Sequence, residues 1–463
     1  MTATQTDSVT VLVPVGSLGA GVRESEVIHG LEAGAQVIAS DAGSTDSGAA
    51  YLALGMSKNN RGAVKRDLEI LMRAQARYGV PILIGSSGQA GGDLNVDWTR
   101  DIVVEIAREH GLTPKIALLY SEQDKATVKA RNASGAITPL APLGPLDEAA
   151  IDACDHIVAV MGPEPFIAAL EAGADIVLGG RTTDTAVLAA YPLWKGMGVG
   201  PSWHAGKVTE CGGQCAEKRL GSGVLFRVGA EHFDVAPLEP ANLCTPHSVS
   251  RHMLYENSDP FRLVEPGGVL DVTEARYEQL DPRWVRVTGS RWEPQPYTMK
   301  LEGAAVGPCQ TIMLIGIRDP EVLRQLDVFH DRMLAALTER ARRNIDADPD
   351  SWSISLRLYG WNALDGQPPP PGTPPPREVG ILCVITAPTQ KLATDIAKAC
   401  NPYFFHFPIN PEKELPSYAF AFSPADIERG PVYEFKLNHV VAVESPTELV
   451  RTVFVDLARP EAA

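Results

Sequence analysis

From residue 9 to about residue 190, short runs rich in β-branched residues alternate with stretches whose apolar positions recur at helical spacing. The runs predict strands at Val9–Val15, Gln36–Ser40, Pro81–Gly85, Lys115–Tyr120, His156–Met161 and Asp175–Gly179. Helical patterns lie between them at Val64–Tyr78, Trp98–His110 and Pro165–Ala172, and Gly79, Gly111 and Gly173 stand where helices stop. Strands and helices that alternate at short spacing read as βα units, so the N-terminal part is expected to be α/β, a parallel sheet with helices on both faces.

After residue 200 the alternation loosens, and aromatics, prolines and turn residues accumulate from Cys244 to Pro296. A boundary is therefore expected near residue 225, giving an α/β domain over 1–225 and an α+β domain over 226–463. The second part has a helical stretch at Pro320–Arg343, a strand-like run at Trp352–Tyr359, a strand at Glu378–Ile385 and a helix at Thr389–Ala399. An aromatic-rich segment, Tyr403–Phe407, and a strand around Val440 follow. Pro368–Pro376 is seven prolines broken by Gly372 and Thr373, which no helix or sheet interior accepts. It reads as a semi-rigid surface spacer rather than a ligand for a polyproline-binding partner.

Charge narrows the partners. Lys and Arg number 41 against 57 Asp and Glu, a formal charge of −16, and no basic run offers a footprint for phosphate backbones. Nucleic acid and anionic membrane surfaces are thus poor partners, and a small anionic substrate must have its charge met locally. No apolar stretch approaches the ~20 residues that cross a bilayer, and the first residues lack the pattern of a secretory signal, so a cytoplasmic setting is expected. Seven cysteines in 463 residues do not make a disulfide scaffold.

Several standard chemistries are missing from the sequence. There is no P-loop, no Gly-x-Ser-x-Gly elbow and no His-Glu-x-x-His helix. The glycines at 16, 19 and 21 do not match the dinucleotide fingerprint, and no nicotinamide or flavin motif is present. Cys211 and Cys215 are four apart in a Gly-rich segment but lack two further ligands at matching spacing, and His247 and His252 read as ordinary polar or half-buried histidines.

The loops that follow predicted strands one, two, three and six are more informative. They are Gly16–Gly21, Asp41–Gly48, Gly85–Asp93 and Gly179–Asp184, and in a parallel sheet all emerge at the carboxyl edge, where ligands of open α/β sheets bind. Gly-rich loops present backbone N–H groups to an anion. The substrate-binding candidates are Gly16, Ser44, Thr45, Ser87, Gly88, Arg181 and Thr182, with Arg181 offering a fork for a carboxylate or else pairing with Asp184. Asp41, Asp46, Asp93 and Asp184 are candidate bases, Mg²⁺ ligands or helix caps, with Asp41 and Asp184 leading as catalytic residues. His204, just after the last of these loops and its helix, is the third catalytic candidate, and Glu210 is the other titratable group beside it.

These segments resemble the acyclic terpene utilisation (AtuA-like) family. The resemblance rests on Val13-Pro-Val-Gly-Ser-Leu-Gly19, the loops 41–48 and 85–93, Gly180-Arg-Thr-Thr-Asp-Thr185 and Glu210-Cys-Gly212. It continues through the segment 254–268, Tyr297-Thr-Met-Lys-Leu-Glu-Gly303 and Gly430-Pro-Val-Tyr-Glu-Phe-Lys-Leu-Asn-His439, nearly the whole chain. The resemblance implies a bacterial catabolic protein from clusters that handle branched acyl-CoA or other carboxylic acids, often beside a small companion protein. It supplies no catalytic residues. The reading that joins both lines is a lyase, a hydratase or dehydratase of a small carboxylic acid or its CoA thioester. The alternatives are a metal-assisted hydrolase using Mg²⁺ or Zn²⁺ and a non-catalytic subunit of a carboxylase or acyl-CoA complex. A homo-oligomer is expected for a metabolic protein of this size.

Overall fold

A computed structural model describes residues 7–219, 222–367, 369–370, 372–410 and 412–458. The chain forms two compact units, Met1–Ala305 with Glu434–Ala463, and Val306–Tyr433. In chain order the larger unit begins with β1 (Val9–Val13), β2 (Val37–Asp41), β3 (Ile82–Gly85), β4 (Lys115–Tyr120), β5 (Ile137–Pro139), β6 (His156–Val160), β7 (Ile176–Gly179), β8 (Val224–Val228) and β9 (His232–Pro237).

Among the described residues ten strands make one sheet, in the order Arg276–Gln279, Val285–Thr288, β9, β8, β1, β2, β3, β7, β4, Arg451–Asp456. The central run β1-β2-β3-β7-β4 is parallel. The strands on either side of it are antiparallel. The fold is therefore mixed α/β, and the sheet is not the all-parallel one expected from the βα spacing. β8 lies along β1 from Val9↔Val228 to Val13↔Val224, so the boundary expected near residue 225 falls inside a strand of the first sheet. The physical reason is that an antiparallel hairpin such as β8-β9 needs no helical crossover and leaves no βα signature. β6, expected among the parallel strands, instead pairs antiparallel with Lys300–Ala304.

Side chains alternate across the sheet as a strand requires. Leu12, Ile38, Ile82, Ile84 and Leu178 pack beneath the helices Glu24–Glu32, Arg61–Tyr78 and Asp93–His110. Val11, Ala39, Leu83 and Val177 pack beneath Asp184–Trp194 and Val199–Thr209. Each such Val, Leu or Ile side chain removed from water contributes about 1.5–3 kcal/mol, which makes the parallel strands a rigid platform for the loops at their ends.

In the smaller unit Cys309–Ile317 pairs antiparallel with Val379–Ala387, which pairs in turn with Ser353–Tyr359. Helices Leu326–Asn344 and Gln390–His406 close its core through Phe329, Met333, Ile396 and Phe404. The helical stretch expected at Pro320–Arg343 is broken into Pro320–Leu323 and Leu326–Asn344. Of the proline run, Pro368 and Pro371 lie outside the described residues, and the rest carries neither helix nor strand. Among the described residues no helix is long and apolar enough to cross a membrane.

Candidate functional site

Because β1, β2, β3 and β7 are adjacent and parallel, the loops that follow them share one edge. A cavity of about 450 Å³ opens there, with Gly16 and Ser17 of the first loop, Asp41, Ser44 and Asp46 of the second, Gln89 of the third and Asp184 after the fourth in its wall. Glu210, Cys211, Tyr255 and Glu256 complete it from later in the chain. Gly16 is required for this closure, since a Cβ there would stand 2.5 Å from the carbonyl carbon of Cys211. Helix Val199–Thr209 delivers Glu210 by a similar close approach, in which a side chain at Gly206 would meet the Thr185 carbonyl oxygen at 2.8 Å.

The wall is acidic. Glu26, Asp41, Asp46, Asp184, Glu210 and Glu256 line it, against Lys58 and Arg219. Asp41 ends β2 almost completely buried; its Oδ2 accepts from the Gly43 N–H at 2.8 Å, while Oδ1 has no hydrogen-bond partner. Burial, and then the nearby Asp184 charge, hold the Asp41 carboxyl well above the usual carboxylate range. Asp184 opens helix Asp184–Trp194, where the helix dipole favours its charge, yet burial raises its pKa as well. Burial pushes Glu210 to about 8 in spite of Lys207, whose Nζ lies 2.5 Å from Oε1. Glu265 is pushed to about 7 by burial against hydrogen bonds from Thr183 and Thr185. Glu210, in the wall, and Glu265, which does not line it, are thereby carboxyls that give and take protons near neutral pH.

Several loop amides are otherwise engaged. In the first loop the N–H groups of Gly19, Gly21 and Val22 converge, at 2.9–3.0 Å, on the carboxylate of Asp67, a fully buried residue of helix Arg61–Tyr78. That nest holds an anion, but one the protein supplies. In the third loop Ser86 and Ser87 donate their N–H groups to Gly180 and Gly179, and in the fourth Arg181 and Thr182 donate theirs to the hydroxyls of Ser121 and Ser86.

Arg181 is likewise committed. Its Nε donates to Glu302 Oε2 at 2.9 Å and its Nη1 to Ser86 Oγ at 3.1 Å, with Asp184 3.5 Å from Nη1. Thr45 donates to the same Glu302 oxygen at 3.0 Å. Although burial raises the Glu302 pKa, Arg181 and Lys300 hold it at about 2. Thus Asp41, Asp184, Gly16 and Ser44 meet in the cavity wall, whereas Ser87, Gly88, Arg181 and Thr182 stand behind it as scaffold. Thr45 faces a separate cavity with Lys300 and Glu302. His204 is buried away from both, its Nδ1 2.8 Å from Ser290 Oγ and its Nε2 3.2 Å from the Tyr277 hydroxyl, and burial lowers its pKa to about 3. The structure thus places the His204 imidazole in a closed contact with Ser290 and Tyr277, apart from Asp41 and Asp184.

Sequence reasoning missed Asp67, Lys207, Glu265 and Glu302, and read His252 as an ordinary polar or half-buried histidine. Lys207 carried a signal, three residues before Glu210 on one helix face. Glu302 carried one in the segment Tyr297–Gly303 that the family resemblance rests on, but nothing in the sequence tied it to Arg181.

All seven cysteines are free, and Cys211 and Cys215 do not share a site: Cys211 faces the cavity while Cys215 is buried. Fold and site together define a mixed α/β protein with a carboxyl-lined cavity at the carboxyl edge of its parallel strands. Residues 60–222 and 237–412 match the acyclic terpene utilisation family protein AtuA, and the chain belongs to this family. Comparison with curated proteins and with solved structures gives no match.

Proposed function

We propose that this protein is a hydro-lyase, a hydratase or dehydratase acting on a small carboxylic acid as its CoA thioester. The observation that carries the reading is Asp41: a buried carboxyl with raised pKa and an unpartnered oxygen, electrostatically linked to Asp184 in the wall of the same cavity. Hydration of an α,β-unsaturated thioester adds a proton at the α carbon and water oxygen at the β carbon. Asp41 serves as the group that moves the α proton, and Asp184 as the group that orients and deprotonates the water. Six carboxyls face two cations in the wall and Arg181 is engaged by Glu302, so the cavity is poorly built to grip a free carboxylate, which favours the uncharged acyl end of a thioester over the free acid.

The test is a panel of short unsaturated and β-hydroxy acyl-CoAs, followed by loss or gain of the conjugated thioester absorbance, with the free acids in parallel. Turnover of a thioester supports the reading. Release of free CoA, abolished by chelator, supports instead metal-assisted hydrolysis, which the carboxylate-rich wall also suits. No turnover of either kind, even with the small companion protein added, moves the protein to a non-catalytic subunit. The proposal includes a cytoplasmic homo-oligomer, and light scattering reads its size.

A further inference from the structure

Glu210, Cys211 and His252 bring a carboxylate oxygen, a thiol sulfur and an imidazole nitrogen within 4.8 Å of one another. Glu210 and Cys211 follow helix Val199–Thr209 directly, and His252 sits in the turn Arg251–Leu254. His252 is only 4% exposed, and its Nε2 has no hydrogen-bond partner while standing 4.0 Å from Glu210 Oε1. Leaving a buried imidazole nitrogen unpaired is costly, so its persistence calls for an occupant. Tyr255 stacks on the imidazole at 5.6 Å and helps fix the plane of the ring.

We propose that Glu210, Cys211 and His252 bind a divalent transition metal ion of the zinc class, with a further coordination position open to the cavity. One sulfur, one nitrogen and one carboxylate oxygen suit Zn²⁺ or Co²⁺ and not Mg²⁺ or Ca²⁺, which take oxygen ligands. Bonds of about 2.0–2.3 Å place tetrahedral ligand atoms roughly 3.5 Å apart, so the three side chains close by about 1 Å. Cys211 must lose its thiol proton, and Glu210 any carboxyl proton it carries, to solvent as the bonds to the metal form, and the ion displaces the Lys207 ammonium from Glu210 Oε1. Because Glu210 and Cys211 line the cavity, the open position faces the space occupied by substrate.

This inference stands apart from the hydro-lyase reading because it is read by metal content and spectrum, not by turnover. The full chain is stripped with chelator, loaded with Co²⁺ or Zn²⁺, desalted and analysed for metal. One ion per chain with a thiolate-to-cobalt charge-transfer band is the expected result. Cys211→Ser should abolish the band, Cys211→Ser and His252→Ala should each weaken binding by more than the roughly 10–100-fold that loss of an outer-shell partner costs, and Lys207→Met should tighten it. Absence of a bound ion, a bound Co²⁺ without the thiolate band, or affinity unchanged in both ligand variants would overturn the proposal. Circular dichroism verifies folding, and if His252→Ala fails to fold, the near-isosteric Cys211→Ser spectrum decides.

Discussion

Two buried polar groups at the carboxyl edge of the same sheet are built in opposite ways. Around Arg181 the guanidinium meets Glu302, Ser86 and the Thr182 carbonyl, and Glu302 in turn meets Thr45 and Lys300. In the cavity wall Asp41 Oδ1 and Gln89 Oε1 are buried without partners, as is His252 Nε2 beside Glu210. A closed network fixes loops in place; open valences in a cavity wall are what a ligand or a proton can use. The difference separates scaffold from chemistry more sharply than residue type does, since arginine and aspartate occur among the candidates for both.

The largest expected effect tests the closed network. Arg181→Met leaves Glu302 buried with Lys300 as its remaining cation, and should cost about 3–5 kcal/mol in urea unfolding. The double variant Arg181→Met with Glu302→Leu should recover much of that loss, a coupling that a double-mutant cycle measures. If Arg181→Met were nearly neutral for stability and raised KM instead, Arg181 would be the substrate fork that its position in the sequence suggested.

Somewhat smaller is the effect of opening the first loop. Asp67→Ala orphans the N–H groups of Gly19, Gly21 and Val22, and should destabilise by about 3 kcal/mol in the same assay. Added phosphate or acetate restoring stability to this variant alone would show the nest to be a working anion site once its own anion is removed.

Asp67 also marks where the sequence stopped being legible. The four Gly-rich loops and the strands before them could be read, because βα alternation leaves a local periodic signal and parallel strands dictate a common edge. Which amides stay free could not be read, because Asp67 reaches the loop from 46 residues beyond Gly21 and Glu302 reaches Arg181 from 121 residues away. The hairpin β8-β9 escaped for a related reason: its neighbour β1 is more than 200 residues earlier. The place of Asp41 was legible because it ends a strand, and that of His204 was not, because proximity in sequence to a loop does not say which face of a buried helix the ring occupies.

His204 supplies a pH test of the scaffold side. Its folded pKa of about 3 lies below the ordinary 6.5, so the unfolded chain takes up a proton that the folded chain refuses. Stability should therefore fall as pH drops from about 6.5 toward 3, by up to about 1.4 kcal/mol per unit. His204→Gln should cost about 1–2 kcal/mol at pH 7 through its contacts to Ser290 and Tyr277, and flatten that acid slope. The slope should shrink without vanishing, because His252 is displaced in the same direction, to about 4. An unchanged slope with lost turnover would restore His204 to the chemistry.

The smallest expected effect has the opposite sign and bears most directly on function. Asp41 has a folded pKa above its unfolded one, so the folded chain holds the proton longer, and Asp41 costs stability as pH rises from about 4 through the raised value. Asp41→Asn keeps an acceptor for the Gly43 N–H and removes the charge, so it should raise stability by ~1 kcal/mol at pH 7–8 and leave it unchanged near pH 3. The same substitution should lower kcat/KM on the responsive thioester by roughly 10²-fold or more. Gain of stability with loss of turnover is the signature of a strained catalytic group, and no residue of the closed network should show it. A destabilised Asp41→Asn with full activity would place Asp41 among the scaffold and leave Asp184 and Glu210 as the cavity's proton carriers.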